Sequence, residues 1–386
     1  MTSNTSCNKQ KKVFLVALVV SCLLYAIQFQ GEQYQFLRSL YKDMKSASTD
    51  VLLGSKNCST GENSTSSSLP ASTSSSSSGS IMMTSMTYQE RLERYKQRYN
   101  YHLPTTYFNH ALREEICGPA PNYTKFFQLG LKQRSGDGED KVIYELFFKN
   151  TTSIERGTAV EMGAYNGIQQ SNSRFFDVCL GWDNLLIEGM PKTYEQLLVN
   201  RPQAHRMNYA PSCTEEEEMA NKTIKFDNYP MTNAGVSGAA NVTTTYSAKN
   251  WTVDVPCGPL TPVLLDMFPN GHVTFFSLDA EGSEPYVVKN IDFKRIFIEV
   301  MIIEHANNFC NRFACESRDR FRKMMDDEGY IRFTKLVRKS DLYIHPKSKY
   351  LGVLLENPTY KAMYDCFMTN KNGKNIIPRA ATRGAC

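Results

Sequence analysis

Between Thr158 and Ile303 the chain alternates strand-like and helix-like runs, and that alternation admits few folds. Thr158–Met162 reads as a strand, followed by a glycine-bearing turn and a helix over Ser171–Leu180. Asn184–Glu188 and His205–Tyr209 read as two further strands around a helix at Lys192–Asn200. A helix at Pro262–Phe268 precedes the very apolar strand Val273–Leu278, and a helix at Glu284–Asn290 precedes the strand Arg295–Ile303. Such a series builds βαβ units: a doubly wound α/β fold with a mostly parallel sheet and helices on both faces. The tail adds a helix at Arg318–Glu328 and two strand candidates, Tyr330–Val337 and Leu342–Ile344, which close the sheet as a hairpin. The stretch 211–255 reads as irregular.

The packed part begins near residue 88. Serine and threonine dominate from Ser46 to Ser85, and such a segment buries too little apolar surface to offset its ordering entropy. Residues 30–87 are therefore expected to be a flexible stem. Before it runs VFLVALVVSCLLYAIQF, Val13–Phe29, at the short end of what spans a bilayer. Lys9, Lys11 and Lys12 precede it and favour a cytoplasmic tail over 1–12. A cleaved signal peptide is the rival reading, but no A-x-A pattern stands near Leu24–Gln28. The expectation is a signal anchor at 13–29: a single-pass type II protein of the Golgi or endoplasmic reticulum membrane, its folded part lumenal.

Asn-x-Ser/Thr sequons at Asn57, Asn63, Asn122, Asn150, Asn221, Asn241 and Asn250 agree with that location. So do the cysteines beyond the apolar run: Cys58, Cys117, Cys179, Cys213, Cys257, Cys310, Cys315, Cys366 and Cys386. An oxidising lumen lets several of these pair, with Cys310 and Cys315 close enough for a local loop bridge. No C-x-x-C pair appears among them, so zinc is not expected. A formal net charge of +5, with no lysine/arginine block after the first dozen residues, gives nucleic-acid binding no support. YQERLERYKQRYN at 88–100 reads as a polar helix opening an N-terminal helical extension over 88–140, ahead of the main domain at 141–386.

Three stretches carry the chemistry. In VEMGAYNGIQQSNSRFF, 160–176, a strand ends near Glu161 and Gly163 and Gly167 flank a tight turn before a helix. Glycines there let a ligand approach the backbone, and the new helix offers free N–H groups. Glu161 suits the charged amino end of a cofactor. In DNLLIEGMP, Glu188 ends the next strand, a position that commonly accepts hydrogen bonds from ribose hydroxyls. The lack of G-x-G-x-x-G argues against NAD. In FFSLDAEGSEPYVV, 275–288, Asp279 ends an apolar strand with Glu281 and Glu284 close behind. Clustered carboxylates at a strand end need a partner, so Asp279 and Glu281 are expected to meet substrate, cofactor or a divalent metal.

These stretches, with LGWDNLLIEGMPKTYEQLLVNRP and VPCGPLTPVLLD between them, resemble in order the FkbM family of methyltransferases across 140–305. The resemblance implies a class I methyltransferase fold that binds S-adenosylmethionine at the first strand's turn and transfers methyl groups to oxygen. Glu161, Gly163 and Gly167, with Ala164 and Tyr165 between them, would form the methionine end of the site, and Glu188 would hold the ribose. A general base would be Asp279, Glu281 or His305; alternatively a divalent ion on Asp279 and Glu281 would acidify the acceptor. A lumenal location points to a glycan or small-molecule hydroxyl as acceptor. Two other readings stand beside it. One is a non-catalytic methyltransferase-like trafficking scaffold. The other is a Golgi glycosyltransferase, for which Asp279-Ala280-Glu281 is an imperfect Asp-x-Asp.

Overall fold

The strands are short, apolar runs buried on both faces, as a sheet covered by helices on each side requires. The computed structural model describes residues 86–106, 110–130, 132–149, 156–227, 252–305 and 312–372. The chain divides into two units, Met1–Ser74 and Ser75–Cys386, and every described residue falls in the second. Its seven-stranded sheet contains β1 (Thr158–Met162), β2 (Asp183–Ile187), β3 (His205–Met207), β6 (His272–Leu278), β7 (Phe297–Glu304), β8 (Ile331–Val337) and β9 (Ser340–Ile344). Their order is β3-β2-β1-β6-β7-β9-β8, and β9 alone runs antiparallel to its neighbours. This is the class I methyltransferase-like doubly wound fold expected from the sequence. The strand order reverses between β1 and β6, where Met162 pairs with Leu278. A crevice opens beyond strand ends at such a switch point.

Side chains alternate across the sheet. Val160, Leu185, Phe276 and Met301 pack one face; Ala159, Phe275, Val300 and Ile302 pack the other. The first face is closed partly by α1 (Tyr88–Tyr99). Its capping box pairs Thr87 with Glu90, and Leu92, Tyr95 and Tyr99 are buried. Arg91 clamps Asp266 with bonds of 2.7–3.1 Å, and Tyr95 joins at 2.9 Å. The start of the N-terminal extension thus shares a hydrophobic core with the main domain.

The stretch 211–255 is more ordered than its sequence suggested. Thr214 caps a short helix, Glu215–Met219, in a second capping box with Glu217; its acidic run favours the positive end of the helix dipole. An antiparallel hairpin follows, β4 (Thr223–Asp227) with β5 (Thr252–Pro256). The Cys213–Cys257 disulfide ties its base to the domain. A second disulfide joins Cys117 to Cys179, and Cys315 and Cys366 are also disulfide-bonded. Cys310, the other half of the expected loop bridge, lies outside the described residues, as does the apolar run 13–29. Among the described residues no helix is long and apolar enough to cross a membrane. Two helices not anticipated, Lys349–Leu355 and Pro358–Asn372, complete the tail.

Candidate cofactor cleft and its acidic wall

A cleft lies beyond the ends of β1, β2 and β6. Its floor is the turn after β1. Gly163 has φ +81°, and a Cβ there would stand 1.9 Å from the carbonyl oxygen of Asp279, so only glycine fits. Gly163 and Ala164 donate their N–H groups to the Ile187 carbonyl at 3.0 and 3.1 Å, which ties the turn to β2. Tyr165, at φ 48°, donates its N–H to Glu188 Oε2 at 2.7 Å.

Glu188 forms one wall and is 6% exposed. Its Oε1 accepts from Met190 N–H at 2.8 Å and from the Thr193 hydroxyl at 3.1 Å. A carboxylate offers about four lone-pair directions, so three donors leave one unused. Burial pushes its pKa up to about 7, against the pull of those hydrogen bonds.

Of the other residues expected at the cofactor's methionine end, Gly163 and Tyr165 line the cleft; Glu161, Ala164 and Gly167 are not among its lining residues. Glu161 lies on the same sheet face as Ala159, and its carboxylate is taken up within the chain. Oε1 accepts from Asn172 N–H at 2.6 Å, and Oε2 accepts from the Ser171 and Ser173 hydroxyls at 2.7 and 2.6 Å. Both serines in turn accept from Arg201, whose guanidinium also pairs with Asp177 at 2.7 Å. Glu161 therefore anchors the loop before the helix Arg174–Val178, with both carboxylate oxygens taken up by donors of that loop. Gly167 is a packing glycine: a Cβ there would meet Leu197 at 2.5 Å and Arg201 at 2.6 Å. Ala164 is core, packed with Leu186, Tyr194 and Leu197.

The opposite wall is acidic. Asp279 and Glu281 line the cleft, and one oxygen from each lies within 4.8 Å of one from Glu304, the last residue of β7. Burial raises all three carboxyl pKa values, and mutual repulsion adds to it: Glu281 to about 8, Glu304 to about 7, and Asp279 well above the ordinary range. Glu284 is spent on the loop itself, accepting from the Ala280 and Gly282 N–H groups at 3.0 Å each. His305 is not among the lining residues; its Nε2 faces Asp341 Oδ1 at 3.5 Å and its N–H bonds Lys339 O. A role as general base is unsupported by that placement.

Sequence reasoning missed part of the lining. Tyr209, Ser212, Phe226 and Ser283 all border the cleft. The hydroxyls of Tyr209, Ser212 and Ser283 are buried without a hydrogen-bond partner, although Tyr209 is 0% and Ser283 3% exposed. Orphaned buried hydroxyls are costly unless something meets them. Tyr209 is held in place by Tyr99 of α1, stacked at 4.2 Å between ring centres. Only Tyr209 carried a signal in the sequence, as the last residue of an expected strand.

Residues 161–332 match the family profile described as "Methyltransferase FkbM domain". No curated protein sequence matches the chain. Solved structures similar to it include the methyltransferase FkbM of Methylobacillus flagellatus, at 14% identity and TM-score 0.28, covering 51% of this chain and 46% of that one. The Aeropyrum pernix fibrillarin complex with S-adenosyl-L-methionine shares 12% identity at TM-score 0.27, over 49% of this chain and 66% of that one. The Bacillus cereus O-methyltransferase in complex with SAH shares 10% identity at TM-score 0.30, over 67% of this chain and all (100%) of that one. The chain thus spans less than two thirds of the first two. The stretch from Glu161 to Arg332 that matches the methyltransferase FkbM domain profile encompasses the glycine turn, Glu188 and the acidic wall.

Proposed function

We propose that the cleft binds S-adenosylmethionine and that the protein methylates a hydroxyl oxygen of a glycan or small molecule. The observation that carries this reading is the switch-point cleft itself, where an obligatory glycine, a strand-end carboxylate and three unpartnered hydroxyls converge inside the matched domain. The residues fit the cofactor. Glu188 keeps one lone-pair direction for a ribose hydroxyl, and Phe226 with the Tyr209 and Ser212 hydroxyls offers an apolar face and polar partners for the base. When bound, S-adenosylmethionine supplies a methyl group on a cationic sulfonium.

The chain's own residues then orient and deprotonate. Gly163 and Tyr165 fix the backbone beside Glu188, and proximity in line supplies much of the rate. Glu281 lines the cleft and in this reading takes the proton of the acceptor hydroxyl. A base with a pKa near the working pH is the effective one, and Glu281 at about 8 meets that condition.

A secretory-lumen setting, behind a tail at 1–12, an anchor at 13–29 and a stem at 30–87, belongs to the same proposal. The disulfides support it, as do exposed sequon asparagines at Asn122 and Asn221. The test is incubation of the full chain with methyl-labelled S-adenosylmethionine and an array of oligosaccharides. Label on a sugar oxygen is expected. Label found only on nitrogen or carboxyl groups would refute the acceptor class, and cofactor binding without transfer to any acceptor would favour a scaffold.

A further inference from the structure

We infer that Asp279, Glu281 and Glu304 together hold a hard divalent cation at the carboxyl ends of β6 and β7. Their candidate ligand oxygens lie within 4.8 Å of one another. Oxygen ligands sit about 2.0–2.6 Å from Mg²⁺ or Ca²⁺, so two on one ion stand up to about 4–5 Å apart. The trio already meets that span. An all-carboxylate set selects Mg²⁺, Ca²⁺ or Mn²⁺ over softer metals.

A second observation, apart from the clustering, points to a ligand. Asp279 Oδ1 is inaccessible yet accepts no hydrogen bond, and the Ser283 hydroxyl, 3% exposed on the same cleft, is likewise unpartnered. Within the protein the trio is relieved only in part, by a proton shared between the Asp279 and Glu304 carboxyl groups, which a bound cation would displace. Lys339 acts on Glu281 and Glu304, but its ammonium is bound to Asp137 at 3.0 Å. Glu284 and Glu139, which also bear on Asp279, are acidic. Crowded, half-buried carboxylates of one sign are neutralised either by shared protons or by a cation. The cation would sit beside the cleft where the proposed acceptor hydroxyl binds, and would acidify that hydroxyl in place of direct proton uptake. Metal binding itself does not depend on the methyltransferase reading.

The test is electron paramagnetic resonance titration of Mn²⁺ into the full chain without cofactor, with Mg²⁺ and Ca²⁺ as competitors. Wild type should bind one Mn²⁺ per chain. Glu304→Gln and Asp279→Asn should each weaken binding by more than about tenfold, the low end of the loss on removing even an outer partner. Asp254→Asn, an exposed carboxylate on the β4–β5 hairpin, should bind as wild type. Metal-free Glu304→Gln should melt no lower than wild type, having lost a like-charged neighbour, whereas Mn²⁺ should raise the melting temperature of wild type alone. No bound Mn²⁺ at about 1 mM, the weak end of the range for extracellular Ca²⁺ sites, would overturn the inference. So would a folded Glu304→Gln that binds as wild type does. Neither outcome touches cofactor binding, which is measured separately.

Discussion

Arg201→Met isolates what holds the glycine turn and the loop behind it. Arg201 is 0% exposed. Its Nε donates to Asp177 at 2.8 Å, and its Nη atoms donate to Gly167 O at 2.9 Å, Ser171 Oγ at 3.0 Å and Ser173 Oγ at 3.2 Å. Methionine fills similar volume but returns none of these bonds. Asp177, 2% exposed, would keep only Gln203 at 3.1 Å; of the serines that serve Glu161, Ser173 would lose its donor and Ser171 would keep only the Arg174 N–H at 3.2 Å. Removing one partner of a buried ion pair costs about 3–5 kcal/mol. At about 2–4 °C per kcal/mol for large domains, melting should fall by roughly 10 °C. Urea denaturation followed by circular dichroism reads the loss directly. The double variant Arg201→Met/Asp177→Leu should recover part of it, because the stranded carboxylate is gone. A loss below about 1 kcal/mol for the single variant would refute this account of the turn.

Gly163→Ala forces a Cβ against a backbone carbonyl at φ +81°; strain and displacement together should cost on the order of 3 kcal/mol by thermal melting, with cofactor affinity lost as the turn shifts. Tyr209→Phe removes an unpartnered hydroxyl, so urea stability should hold or rise while cofactor affinity falls about fivefold by calorimetry, near 1 kcal/mol. Burial lowers the His205 pKa to about 4 from 6.5, so the unfolded chain binds the extra proton between those values. His205 therefore contributes stability above pH 6.5 that is lost as pH falls toward 4, on the order of 3 kcal/mol. His205→Gln should flatten that part of the stability–pH curve, and an unchanged slope would contradict it.

The parallel series was legible because each strand is a short apolar run and each turn carries glycine or a strand-end acid. Gly163 and Glu188, which line the cleft, were picked out that way. Glu161 was misread because position along the strand was weighed without parity: one residue from Met162, its side chain points through the opposite face. Glu304 was missed because β7 runs to Glu304, one residue beyond the expected end at Ile303. Ser212 and Phe226 lay in a stretch read as irregular, where four consecutive glutamates masked a capped helix and a disulfide supplies order that spacing alone does not reveal. The orphaned hydroxyls are a purely tertiary signal, since no local pattern says which serine or tyrosine lacks a partner.

The measurement closest to the central claim is calorimetric titration of S-adenosylmethionine and its demethylated product into the full chain, beside Glu188→Ala. The account predicts micromolar binding at one site per chain, weakened in the variant by at least about tenfold, or 1.4 kcal/mol. Absence of binding to well-folded wild type, or equal binding by the variant, would contradict it.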